Sequence, residues 1–347
     1  MMALSTWASV TLCAALALTP SQDEKLNHAP QPVPAEMRAV RLHQFGGPEV
    51  LREEKVPTPR PGDDELLVRV EAAGVNPVDF KMRDGMGRGM LRLPFTLGYD
   101  VAGTVVDKGA SVRDFDVGDS VFAYLSLQRG GGYAQYAIVQ SNEAARTPRD
   151  LLPGVAASVP LAALTAWQAL VEIGQVEKGQ TVLIHGGAGG VGHFAVQIAK
   201  ARGARVIATA SAKNQEFLRQ LGADETVDYR ARPFEDVAKD VDLVLDPIGG
   251  TTTVRSMHTL RKGGILISIV GEPGPEAMEL AKERGVRTRA MLVRPDGKQL
   301  REIAALIEAG SIRPHVALAR PLEAAAEVQE LLKRGDLERG KAVLTVE

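Results

Sequence analysis

The chain has 347 residues and a formal net charge of −2, from 41 basic and 43 acidic side chains, a length that suggests about two domains. With 45% apolar and 24% charged residues it can bury a large core, which excludes disorder, collagen-like repeats and coiled coils, and the balanced charge argues against a nucleic-acid partner. The single cysteine, Cys13, excludes an intrachain disulfide and a cysteine-based zinc site.

The first 36 residues read as a leader. Ala3 to Leu18 is uncharged and apolar, too short for a comfortable membrane span and without an N-terminal Lys or Arg. Two readings stay open: a signal-peptide core cleaved near Ala15-Leu16-Ala17, or a bland extension ahead of a start at Met37. Leu12 before Cys13 does not suit a lipid anchor, so no stable membrane anchor is expected. Pro30, Pro32 and Pro34 read as an extended linker.

From Met37 to about Arg149 short alternating runs (65–74, 101–109, 119–125, 133–139) are separated by Gly, Pro and Asp. Period-two alternation bounded by turn residues predicts a mostly antiparallel β domain. After Gln180 strands alternate with helices. Runs at 181–186, 205–210, 226–229, 241–246, 263–270 and 286–293 predict six strands of a doubly wound parallel sheet. The tail offers two amphipathic helices, about 300–308 and 322–333, and a last strand AVLTV. It is too small to stand alone and is expected to pack back on the first domain.

Gly187-Ala188-Gly189-Gly190-Val191-Gly192 matches G-x-G-x-x-G directly between a strand and a helix. Its glycines permit a tight turn and close approach of the backbone to a pyrophosphate, and the helix N-terminus favours the negative charge. An NAD site places an acid at the end of the second strand. Here Ser211, Lys213 and Asn214 follow it, donors that suit a 2′-phosphate, so NADPH is the expected cofactor. Tyr229, after the third strand, is a candidate to cover the adenine or the phosphate; Lys213 has the competing reading of a solvated first-turn lysine. Asp246 ends the fourth strand, with Gly249 and Gly250 just beyond it, and Val270 and Gly271 end the fifth, all facing the crevice where a dinucleotide lies.

The segment from Gly179-Gln180 through Gly187-Ala188-Gly189-Gly190-x-Gly192 to Gln197 and Lys200 resembles the signature of zeta-crystallin-type quinone oxidoreductases, in the medium-chain dehydrogenase/reductase superfamily. MRAVRLHQFGGPEVL (37–51), GVNPVDFK (74–81), PFTLGYDVAGTV (94–105), VRPDGKQL (293–300) and GKAVLTV (340–346) extend the resemblance over nearly all of the body. It implies an α/β protein with a GroES-like β-rich catalytic domain, from residues 37–152 and 294–347, around a Rossmann domain at 153–293. It also implies a homodimer, with the sixth strands pairing edge to edge.

Zinc-dependent relatives carry Cys and Gly-His-Glu where this chain has Val75-Asn76-Pro77 and Gly98-Tyr99-Asp100, so no metal is expected; His185, His193, His258 and His315 form no recognisable ligand spacing. The resemblance makes Asn76, Asp79, Lys81 and Tyr99 the catalytic candidates and puts Thr165 near the nicotinamide. The expected reaction is NADPH-dependent reduction of a quinone or an α,β-unsaturated carbonyl, with Lys81 stabilising the enolate and Asn76 and Tyr99 positioning cofactor and substrate. Lys81 could equally be a rim lysine or a partner of Asp79, and Thr165 a packing residue. A non-catalytic NADPH-binding protein of the same fold is the alternative. Localisation is open: NADPH supply favours the cytoplasm, the leader favours export.

Overall fold

The computed structural model describes residues 32–347, so the leader expectations for residues 1–31, Cys13 included, lie outside the described residues. Residues 34–347 form one unit. Its strands, in chain order, are β1 (Glu36–Leu42), β2 (Leu51–Pro57), β3 (Glu65–Val75), β4 (Phe95–Thr96), β5 (Asp100–Lys108), β6 (Ser120–Tyr124), β7 (Tyr136–Gln140), β8 (Ala144–Arg146), β9 (Thr181–Ile184), β10 (Arg205–Ala210), β11 (Glu225–Asp228), β12 (Val241–Asp246), β13 (Leu260–Ser268), β14 (Arg287–Ala290), β15 (Val316–Pro321) and β16 (Lys341–Thr345). The α-helices are α1 (Pro77–Lys81), α2 (Pro153–Ala157), α3 (Pro160–Trp167), α4 (Gly192–Ala201), α5 (Gln215–Gln220), α6 (Thr251–Met257), α7 (Pro275–Arg284), α8 (Gly297–Glu308) and α9 (Ala325–Arg334).

The β-rich part is built on β3, whose run ELLVRVEAAGV is buried on both faces over most of its length. It pairs antiparallel with β5, β7 and β16, and the sheet runs β15-β16-β3-β5-β6-β8. β16, near the end of the chain, pairs antiparallel with β3, with Ala342 opposite Val75. A small sheet β2-β1-β4 lies beside it. The run predicted from residue 133 enters the ladder only at Tyr136, because Tyr133 and Ala134 turn inward against β1 and bond it at Val40 and Ala39.

The second part is a parallel six-stranded sheet in the order β11-β10-β9-β12-β13-β14, with the strand-order reversal between β9 and β12 at which ligands sit in doubly wound folds. Its strands are continuous apolar runs, as burial on both faces requires: Val182, Leu183, Ile184, Val206, Ile207, Leu243, Val244 and Leu245 are all at most 1% exposed. β14 is shorter than the predicted 286–293. Met291 makes a last bond to Ser268, after which Leu292 and Val293 leave the sheet edge for the cavity described below. The helix α8 starts at Gly297, three residues before the predicted start, capped by Asp296, whose carboxylate accepts the Gln299 N–H at 3.0 Å. Among the described residues no helix is long and apolar enough to cross a membrane.

Candidate active site

A cavity of about 740 Å³ opens at the C-terminal ends of the parallel strands. On one side it is lined by the loops after β9 (Gly186, Gly189–Gly192), β12 (Pro247, Ile248) and β13 (Ile269–Glu272) and by the end of β14 and the residues after it (Ala290–Val293). Facing them are Val75–Val78 and Lys81 from the β3–α1 junction, Tyr124 at the end of β6, Leu161 and Thr165 of α3, and Gly340–Ala342 at the start of β16.

The glycine loop is held from several directions. Thr209 on β10 accepts the Gly187 N–H at 2.9 Å, and the Gly189 N–H bonds back to Gly186 at 2.9 Å. A Cβ on Gly192 would lie 2.1 Å from the Gly186 carbonyl oxygen, so only glycine lets α4 begin this close to the strand end. Gly187 and Ala188 do not line the cavity. The space beside Gly187 is filled by Leu218 and Ala208, and Ala188 is 4% exposed, its carbonyl accepting the Gly340 N–H at 2.8 Å. Asp246 also stays out of the cavity. Its carboxylate accepts the Ile248 and Gly249 N–H groups at 2.8 and 3.0 Å and the Thr253 hydroxyl, fixing the β12 loop that does reach it. Val270 and Gly271 line the cavity directly.

β10 and β11 run side by side in the register Ala210↔Asp228, so Ser211 and Tyr229 emerge from neighbouring strand ends. Both lie outside the cavity, with Lys213, on an open surface; Tyr229 is 52% exposed. Lys213 is paired with Glu338, and Asn214 donates to the Glu338 carbonyl at 2.9 Å. The guanidinium of Arg339 lies 5.4 Å from the ring centroid of Phe217 nearby. No acid follows β10 in this patch.

On the opposite wall, Pro77 opens α1 with its φ already suited to a first turn. The carboxylate of Asp79 reaches back to the Asn76 N–H at 2.6 Å, half of a capping box. It also accepts the Tyr133 hydroxyl at 2.9 Å. Burial pushes Asp79 up to about 7, against the lowering effect of those two hydrogen bonds. Both bonds fall on Oδ2, and the buried Oδ1 has no partner; Asp79 is not paired with Lys81, whose exposed side chain lines the cavity without an ion pair among the described residues. Tyr99 is fully buried and turned away from the cavity. Gly98 before it sits at φ +89°, and a Cβ there would strike the Tyr133 ring at 2.4 Å.

The Asn76 side chain is held at both ends. Its Nδ2 donates to Asp100 at 2.8 Å and its Oδ1 accepts from Lys341. The Lys341 ammonium also bonds the Val75 carbonyl at 3.1 Å and lies 3.6 Å from Asp100, whose other oxygen accepts the Leu161 N–H at 2.7 Å. Burial draws Lys341 down and pushes Asp100 up, and each opposes the other's shift. Sequence reasoning missed Lys341, which heads a strand as solvated lysines often do, and Tyr124, which alternates like a core residue. Thr165 lines the cavity, but its hydroxyl donates to the Leu161 carbonyl at 2.7 Å.

This donor set does not fit zinc. The buried Asp100 carboxylate is committed to the Lys341 ammonium, and among the described residues no group of three His, Cys, Asp or Glu side chains is assembled. The glycine loop does fit a dinucleotide, since side chains on Gly190 and Gly192 would fill the cradle at 3.2 Å from Lys341 and 2.1 Å from Gly186.

A parallel sheet of this order with a glycine loop at its switch point, closed by a β-rich partner, defines a two-part dinucleotide oxidoreductase. Comparison with known proteins agrees. Residues 62–149 match the alcohol dehydrogenase GroES-like domain and residues 221–344 a zinc-binding dehydrogenase domain. The chain is 34% identical to the mitochondrial NAD(P)H oxidoreductase of Mus musculus over 326 residues (82% of each chain). It is also 34% identical to the quinone oxidoreductase of Lama guanicoe over 330 residues (89% of this chain, 97% of the relative). Among solved structures, the quinone oxidoreductase of Coxiella burnetii superposes with a TM-score of 0.83 at 34% identity (90% of this chain, all of that one). That of Escherichia coli complexed with NADPH superposes with a TM-score of 0.80 at 27% identity (89% and 99%). The chain belongs to the zeta-crystallin-like quinone oxidoreductase family of the medium-chain dehydrogenase/reductase superfamily, and it is an oxidoreductase.

Proposed function

We propose that the protein is an NADPH-dependent reductase that delivers hydride to quinones or α,β-unsaturated carbonyls without zinc. The observation that carries this reading is a single cavity with a dinucleotide-type glycine loop on one wall and the Asn76–Lys81 segment on the other. When bound, NADPH supplies the hydride. The backbone of Gly189–Gly192 and the N-terminus of α4 hold the pyrophosphate, with Gly187 and Ala188 shaping the turn. Ser211 and Lys213 receive the 2′-phosphate and Tyr229 covers it. Thr165, Val270 and Gly271 bound the nicotinamide end, and Asp246 positions the loop beside it.

On the substrate side, Asn76 orients the reactants with an amide fixed by Lys341 and Asp100. Lys81 brings a positive charge to the cavity, where it favours the charge that grows on the acceptor oxygen. Asp79 and Tyr99 act from behind the wall as positioning residues. Residues 37–152 with 294–347 form the catalytic domain and 153–293 the cofactor domain. The free edge of β14 is the proposed contact between two copies.

The test is NADPH oxidation by the purified protein with p-benzoquinone, phenanthrenequinone and but-3-en-2-one, each with and without a metal chelator. Turnover on at least one acceptor, unaffected by chelation, is expected. NADPH binding without turnover on any of them sinks the catalytic reading in favour of a binding protein. Loss of activity on chelation with recovery on adding zinc sinks the zinc-free one.

A further inference from the structure

Hydride addition to a quinone or enone leaves negative charge on an oxygen, and a cavity built for that reaction places a hydrogen-bond donor where the charge develops. Six cavity-lining side chains carry polar atoms: Asn76, Lys81, Tyr124, Thr165, Glu272 and Lys341. Lys81 and Glu272 are exposed. Of the four buried ones, three are already committed. Thr165 donates to the Leu161 carbonyl, Asn76 to Asp100, and the Lys341 ammonium divides its protons among Val75, Asn76 and Asp100. Asn76 keeps a second amide hydrogen, but its direction is fixed by the two bonds that lock the carboxamide.

Tyr124 is different. Its ring is 1% exposed, yet its hydroxyl has only a 3.5 Å contact with the Val293 carbonyl, well beyond the usual span of about 2.5–3.0 Å for such a bond. The hydroxyl can rotate toward a better acceptor at almost no loss. Leu127, Leu161 and Val293 line the cavity with Tyr124 and the residue is buried, so a hydrogen bond made there is worth more than one in water.

We propose that Tyr124 is a catalytic residue whose hydroxyl donates to the carbonyl oxygen of the bound acceptor and stabilises the oxyanion formed on reduction. This rests on the reductase reading above and names the group that makes the buried contact, while Lys81 acts from the exposed side. For an enone the hydride forms the new C–H bond at the β-carbon, the C=C pair moves to make the enolate, and the α-carbon then takes a proton from water. Burial, then the charges of Asp100 and Asp79, hold the phenol above its ordinary range, so Tyr124 keeps its proton and works as a donor of a hydrogen bond rather than of the proton itself.

The test compares wild-type protein with Tyr124→Phe on a series of ring-substituted enones whose enolates differ in basicity. A fall in kcat of about a hundredfold is expected, in the range for losing one oxyanion donor. The ratio of wild-type to variant kcat should grow with enolate basicity, and the Kd for NADPH should stay within twofold. A kcat ratio below threefold overturns the proposal, as does a uniform loss accompanied by weaker NADPH binding, which marks a packing role. Should the variant not fold, wild-type protein with NADP⁺ decides: 4-nitrophenolate should bind at least tenfold more tightly than nitrobenzene, and equal affinities overturn the proposal. Wild-type protein inactive on every acceptor defeats the reductase reading itself; active wild type with an unchanged Tyr124→Phe defeats only this assignment.

Discussion

Lys341 offers the sharpest test of the site's internal energetics. Replacing it with Met keeps most of the volume but leaves the fully buried Asp100 carboxylate without its cation, and the Val75 carbonyl and Asn76 Oδ1 without their donor. Breaking a buried pair by removing one partner costs about 3–5 kcal/mol, much of it the penalty on the charge left behind. The double variant Lys341→Met/Asp100→Asn removes that charge and keeps an oxygen for the Leu161 N–H, so it should recover most of the loss. The pH dependence separates this from a packing defect. Burial already raises Asp100, and Lys341 is the largest influence opposing that shift. Without it the folded-state pKa rises further, so the folded state binds the extra proton and stability falls as pH rises toward that value. Urea unfolding should therefore show the single variant losing more at pH 8 than at pH 5, and the double variant losing the same at both. A single-variant loss under 1 kcal/mol, or no recovery in the double variant, would refute the account of Lys341 as a buried counter-ion.

Burial draws His185 and His193 down to about 4 from 6.5, so each contributes stability that is present above pH 6.5 and lost as pH falls toward 4, up to about 3 kcal/mol apiece. Asp79, raised from 3.8 to about 7, works in the opposite sense over the same window, and His193→Gln should measurably flatten the acid limb of a stability-against-pH curve; an unchanged slope contradicts the burial argument. Gly192→Ala puts a methyl 2.1 Å from the Gly186 carbonyl and should weaken NADPH binding at least tenfold by fluorescence titration. Ser211→Asp with Lys213→Ala should shift preference toward NADH, whereas Glu338→Gln, freeing Lys213 from its exposed ion pair, should lower the KM for NADPH about twofold; no movement in either sinks the 2′-phosphate assignment. Lys81→Ala should lower kcat about tenfold, and an unchanged turnover number removes Lys81 from the chemistry.

The glycine loop was legible because strand, seven-residue loop and helix are contiguous, so covalent spacing alone puts Gly189 to Gly192 at a strand end. The catalytic wall was less so, because its members come from four segments brought together by sheet pairing. Asp79 and Tyr99 lie in the right motifs, but the motif does not say which way a side chain points. A helix first turn sends Asp79 back to cap Asn76, and the Gly98 turn sends Tyr99 inward. One strand over, Asp100 and Tyr124 are register partners, and it is Tyr124 that reaches the cavity. In DSVFAYL nothing local separates it from the core residues around it. Lys341 is hidden for a similar reason. Its burial depends on β16 lying beside β3 with Ala342 opposite Val75, a pairing between residues more than 260 positions apart.

That pairing also explains why the two walls of the cavity keep their spacing. Gly340 donates to the Ala188 carbonyl of the glycine loop at 2.8 Å, and Lys341 N donates to the His315 carbonyl at 2.9 Å. Gly340 sits at φ +62°, and a Cβ there would lie 2.3 Å from the His315 oxygen, so the approach admits no side chain. On the far side of the same loop, His193 Nδ1 donates to the Gly189 carbonyl at 2.9 Å, leaving Nε2 to accept the His315 N–H at 3.4 Å. With burial keeping His193 neutral, this one-donor, one-acceptor arrangement holds at physiological pH. The Lys341 side chain then crosses to Val75 and Asn76 on the opposite wall. The glycine loop and the Val75–Asn76 segment on the opposite wall are thus bonded to the same few residues of the chain end. Displacing either wall requires breaking buried hydrogen bonds, which leaves buried donors and acceptors unsatisfied at a cost of about 1–3 kcal/mol each. Hydride transfer depends on sub-ångström placement of donor and acceptor carbons, and β16 supplies that rigidity from outside both motifs by which the site is recognised.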